Sequence, residues 1–161
     1  MRKILFLSFM TFFAMVLKAG DVNIVIGDLT WGAENELVVS MNNENDVNGF
    51  QFDLFLPDGC YIGDKEKDEV EALPSERLKG MSVMCRALSD GKYRIVVFSL
   101  SSTKVKGYEG DILRLPLKST EKMTKGSYEV RLSNASASVV VNNKMESAKV
   151  PNTTSKIIVG R

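Results

Sequence analysis

From residue 21 onward the chain is a succession of short apolar stretches, each closed by turn-forming residues. Residues 22–26 are followed by Gly27-Asp28, residues 37–41 by the polar run NNENDVNG, and residues 50–56 by Pro57-Asp58-Gly59. Similar stretches follow at 81–88, 92–100, 111–118, 127–133, 137–141 and 155–159. Within them apolar residues recur every second position, which is what a half-buried β-strand needs, because successive side chains project to opposite faces. In GFQFDLFLP, Phe50, Phe52, Leu54 and Leu56 share one face and Gln51, Asp53 and Phe55 the other. Leu113, Leu115 and Leu117 alternate in the same way with Arg114, Pro116 and Lys118. The stretches 81–88 and 92–100, joined by Ser89-Asp90-Gly91, read as a hairpin. No segment sustains the three-and-four spacing of a helix. The charged run DKEKDEVEALPSERL, interrupted by Pro74, reads as a connection holding at most one short strand or helical turn. About nine strands in one domain predict an all-β fold, a two-sheet β-sandwich.

One strand departs from one-sided alternation. In KYRIVVFSL, Tyr93, Ile95 and Val97 lie on one face and Val96, Phe98 and Leu100 on the other, so both faces are apolar. Such a strand is either covered on both sides or offers an apolar surface to a partner.

Ahead of this domain stands MRKILFLSFMTFFAMVLKAG: two cations, an apolar run too short to span a bilayer comfortably, then Lys18, Ala19 and Gly20. The layout predicts a signal peptide over residues 1–20, cut after Ala19 or Gly20, and export of residues 21–161 to the periplasm or beyond. Cleavage removes three of the 21 cationic residues and none of the 20 acidic ones, which leaves a net charge of −2. That balance gives no attraction to nucleic acid or to an anionic membrane. In an oxidising compartment the two cysteines, Cys60 and Cys85, either form a disulfide or remain buried thiols.

The chain contains no histidine. This removes the usual general base, the Ser-His-Asp and Cys-His nucleophile systems, and imidazole metal ligands. The loop ENDVNG echoes the start of a calcium loop, but the position that must supply a bidentate Glu is Phe55. We therefore expect no catalytic residues, no metal site and no cofactor. The single tryptophan, Trp31, is either a sugar-stacking platform or a ring covering the end of the core.

GFQFDLFLP, GKYRIVVFSL, GDILRLPLKS and the closing TTSKIIVG, together with the opening VNIVIGDLTWGAENELVVSMNNENDVNGFQFDL, resemble the strands of cohesin domains in the same order, over almost all of residues 21–161. The resemblance implies a nine-stranded sandwich of jelly-roll topology. It implies a non-enzymatic module, since cohesins bind dockerin modules through one sheet face and so hold polysaccharide-degrading enzymes on a scaffold. Carried over by position, that face receives Gln51, Asp53 and Phe55 from one strand and Tyr93, Ile95, Val97 and Ser99 from its neighbour. The expectation is an exported module that binds a dockerin-like or envelope protein. The alternative is a carbohydrate-binding module of the same fold using Trp31.

Overall fold

The computed structural model describes residues 21–63, 70–89 and 91–160; the proposed signal peptide, residues 1–20, lies outside them. The elements in chain order are β1 (Val22–Ile26), β2 (Leu29–Thr30), β3 (Glu36–Asn43), β4 (Asp46–Phe55), β5 (Cys60–Ile62), β6 (Leu73–Pro74), a short 3-10 helix (Glu76–Leu78), β7 (Ser82–Ser89), β8 (Lys92–Phe98), β9 (Asp111–Ser119), β10 (Gly126–Val141), β11 (Lys144–Lys149) and β12 (Thr153–Val159). They form two sheets. One has the order β1-β3-β9-β5, with β6 also on β9; the other has the order β2-β12-β10-β4-β8-β7, with β11 also on β10.

The alternation seen in the sequence places the core between the two sheets. Ile24, Leu37, Val39, Met41, Leu113 and Leu115 project inward from one sheet; Phe52, Leu54, Ile95, Val130, Leu132 and Ile157 do so from the other, all fully buried. Phe50 and Phe52 stack in parallel, 6.4 Å between centroids. Burying these side chains from both layers is the main favourable term of the fold, on the order of 1.5–3 kcal/mol for each large one. A polar tie crosses the core: the Ile62 N–H in β5 donates to the Tyr93 hydroxyl in β8, at 3.1 Å.

Several strands differ from the sequence expectation, among them the short β2 and β5, which it did not include. The stretches 127–133 and 137–141 are halves of a single 16-residue strand, β10, whose register shifts at a bulge between Ser133 and Ser136. The strand β11 has no counterpart in the apolar pattern, because five of its six residues are exposed. The hairpin does form, as β7 paired antiparallel with β8. Residues 70–78, the described end of the charged connection, hold only the two-residue β6 and the 3-10 turn.

The thiols do not pair. Cys60 lies on β5 and Cys85 on β7, in opposite sheets, and both are free and buried, which overturns the disulfide reading. The Cys60 thiol points to Met123 Sδ at 3.7 Å. Burial raises both thiol pKa values, that of Cys85 to about 12, so neither is a nucleophile at neutral pH.

The loops at one end of the sandwich are held by Arg77. Its Nε donates to the Lys106 carbonyl, its Nη1 to the carbonyls of Met41 and Gly110, each at 2.7 Å, and its Nη2 to Asn43 Oδ1 at 2.9 Å and the Gly107 carbonyl at 3.2 Å. One side chain thus satisfies acceptors from the end of β3 and from residues 106–110. Arg77→Ala is expected to cost about 2–3 kcal/mol in urea unfolding, since several charge-assisted bonds are lost together. A change under about 0.5 kcal/mol, the scale of an ordinary surface substitution, would count against this clamp.

Candidate partner-binding face

At the centre of the outer side of β10-β4-β8-β7, β4 and β8 pair in unbroken register. Phe50, Phe52 and Leu54 of β4 pair with Val97, Ile95 and Tyr93 of β8, and the intervening residues Gln51, Asp53 and Phe55 pair with Val96, Arg94 and Lys92. The first set faces the core and the second faces outward. Tyr93, Ile95 and Val97 are only 5%, 0% and 1% exposed, so the expectation that they stand on the docking face is wrong. Lys92, Arg94, Val96 and Phe98 occupy the outward positions instead. The charged pair Lys92 and Arg94 carried that parity in the sequence: a strand whose faces are both apolar turns outward the face that also bears cations. Ser99 lies just past β8, where its Oγ accepts the backbone N–H groups of Thr103 and Ser101, at 2.8 and 3.2 Å, and so holds the following turn.

Asp53 projects outward yet is 1% exposed, because its neighbours close over it. Arg94 grips it with two parallel bonds, Nε to Oδ1 at 2.7 Å and Nη2 to Oδ2 at 2.9 Å. Asn134 Nδ2 donates to the same Oδ2 at 3.0 Å. Asn134 can reach because it sits in the β10 bulge with φ 50°, a left-handed conformation that asparagine tolerates. The Arg94 bond is the largest influence on the carboxyl; it outweighs burial, and Asp53 is held below the ordinary carboxylate pKa. Beside it, the Phe55 ring is flanked by cations from the two neighbouring strands, Lys92 Nζ at 5.0 Å and the Arg131 guanidinium carbon at 4.6 Å from the centroid. Gln51 is exposed between these groups and an apolar region formed by Met84, Val96 and Phe98.

Gly49 fixes the approach of β4 to β8. A Cβ there would lie 2.9 Å from the Val97 carbonyl oxygen, closer than any side chain tolerates without backbone movement.

No protein-family model matches this sequence, and no curated protein matches it. Solved structures do. The seventh ScaB type I cohesin of Pseudobacteroides cellulosolvens superposes with a TM-score of 0.65 over 86% of this chain and 92% of that one, at 19% identity. The fold is cohesin-like. A non-cellulosomal cohesin from the archaeon Archaeoglobus fulgidus gives a TM-score of 0.65 at 12% identity, covering 88% of this chain and 92% of that one. The sixth cohesin of Acetivibrio cellulolyticus scaffoldin B, solved in complex with a Cel5 dockerin mutant, gives 0.62 at 14% identity, over 88% and 99%.

Other features of this cohesin-like sandwich are less suited to a site. Trp31 follows β2, donates its backbone N–H to the Ile158 carbonyl and is partly buried against the core. A polar hollow of about 530 Å³ is lined by Asn43, Glu44, Tyr108 and Glu109 and not by Trp31. Asp46 of the ENDVNG loop is engaged by Lys104 Nζ at 2.7 Å.

Two predictions separate the faces. Val97→Asp places a charge in the core and should cost at least about 3 kcal/mol, whereas Val96→Asp should stay within about 1 kcal/mol; similar melting temperatures for the two variants would refute the assigned parity. For the Asp53 site, the depressed carboxyl pKa contributes stability that is complete above the unfolded value of about 3.9 and is lost as pH falls through the folded value. Arg94→Gln should therefore destabilise the domain at pH 7, and the gap to wild type should close in acid. A gap that is constant from pH 7 to below the ordinary carboxylate range would show that Arg94 acts only by packing.

Proposed function

We propose that this chain is an exported, non-enzymatic recognition module that captures a dockerin-like protein through the outer face of β10-β4-β8-β7, linking it to polysaccharide-processing or cell-surface assembly. The supporting observation is a cohesin-like sandwich over nearly all of the described residues. The outer face fits such a role, because exposed Met84, half-buried Val96 and Phe98, and exposed Gln51 leave apolar and polar groups open side by side. The first 20 residues, with their basic start and apolar run, support export. The carbohydrate-binding alternative has less support, since Trp31 is partly buried against the core and, among the described residues, no aromatic ring stacks with it.

The test is capture by the immobilised full chain from the envelope and culture fluid of the producing organism. One polypeptide should be retained by wild type and lost, at least about tenfold, with Met84→Asp or Val96→Asp, while the melting temperature barely moves. Retention that survives both substitutions sinks the assigned face. Retention of polysaccharide that vanishes in Trp31→Ala would favour the sugar reading.

A further inference from the structure

The proposed face is not uniform. Arg86, Lys92, Arg94 and Arg131 gather at the end where β8 begins, on the outward positions of three strands. The carboxylate among them, Asp53, is closed in by Arg94 and Asn134, with Lys92 Nζ at 4.0 Å, so it offers no open oxygen to a molecule approaching from outside while offsetting one of the four cations. Glu129, two positions before Arg131 on the same outward side of β10, is exposed and lies opposite Lys156 in register without an ion pair among the described residues, so the cations outnumber the carboxylates at this end rather than standing alone. Among the described residues Arg86 and Arg131 have no ion-pair partner, and Arg94 Nη1 has no hydrogen bond. At the other end of the face stand Val96, Phe98 and Met84, the last 41% exposed, with Leu100 just beyond the strand at 91%. Lys92 and Phe98 are six residues apart on β8, a span of about 20 Å, which matches three to four turns of helix.

Resting on the proposed protein-binding role, we infer that the partner is an acidic segment of a protein, about 20 Å long, with Asp or Glu carboxylates at one end and apolar side chains at the other. The carboxylates meet Lys92, Arg94 and Arg131, and the apolar side chains meet Met84, Val96 and Phe98. Charge complementarity sets the orientation of the segment. Phe55 strengthens the basic end without being a contact itself. Its ring is contacted by both Lys92 and Arg131, which restricts them, so less side-chain freedom is lost on binding. Two cations already crowd the Phe55 ring, which leaves it a poor platform for stacking a sugar.

The test uses the full chain and a display library of peptides about 18 residues long, in which acidic, basic, apolar and small residues are mixed at random. Enriched peptides should carry Asp or Glu toward one end and Leu, Phe or Met toward the other. Their affinity should fall about tenfold or more in Lys92→Glu/Arg131→Glu and on raising salt from about 0.05 to about 0.5 M, and should also fall in Val96→Asp. The milder Lys92→Gln/Arg131→Gln should give an intermediate loss at an unchanged melting temperature. Peptides without acidic enrichment that need Val96 but not the cations would overturn the acidic partner and leave the docking face standing. A library with no binder that depends on either end would overturn both. Cation-dependent retention of polygalacturonate in preference to any peptide would overturn the choice of a protein.

Discussion

A carboxylate on the outer side of a sheet has no need to be buried, and Asp53 is buried because three strands converge on it. Arg94 comes from β8 and Asn134 from the bulge in β10, while Asp53 itself stands on β4 between those two strands. Withdrawing a charged carboxylate from water is costly unless each oxygen is matched by donors, and here both are. The geometry is mutually dependent: without the extra residue in β10 the Asn134 amide could not turn onto Asp53, and without Asp53 the bulge would carry an unsupported left-handed residue. Pairing of β10 passes from β12 to β11 across the same bulge. The ion cluster therefore marks the point where the sheet changes partners.

From that point the two ends of the face acquire different chemistry. Toward the start of β8 the outward positions are cations and the one ring they enclose; toward its end they are Val96 and Phe98. The other sheet shows no such gradient. Two pairs of its outward polar groups are matched within the sheet, Arg114 with Glu36 at 3.8 Å and Ser40 with Asp111 at 2.9 Å. A face whose charges are already neutralised gives a partner little to recognise, and a face with unpaired cations and open apolar groups gives more.

The architecture was legible in the sequence because strands with one wet face announce themselves by period two. The spans near 22–26, 50–56 and 111–118 all lie within or beside observed strands. What escaped was information carried elsewhere. Parity along β8 is ambiguous in apolar residues, and only Lys92 and Arg94 break the tie in favour of Val96 as the outward residue. Nothing in the apolar pattern announces β11, since it pairs with β10 through its backbone while its side chains stay in solvent. The bulge at Asn134 is likewise a tertiary feature: NAS looks like a turn in the sequence, and the chain instead continues as one strand because β4 supplies hydrogen bonds on both sides of the irregularity. The polar set Gln51, Asp53 and Phe55 was identified on the correct face, but the burial of Asp53 depends on residues 41 and 81 positions away.

An exposed apolar region on a β-protein also invites pairing between copies, and the fold limits this at its edges. The Val70 N–H occupies the Cys85 carbonyl on β7, so that edge is not an open ladder along its whole length. At the edge formed by β11 stand the charged residues Lys144, Glu146 and Lys149, and edge charges oppose the docking of an identical strand. The cations at the basic end add a second obstacle, since two copies meeting face to face in the same orientation would bring Lys92 and Arg131 toward one another. A partner suited to that end brings a surplus of accessible negative charge, whereas a second copy of this face brings a surplus of cations with Glu129 beside them.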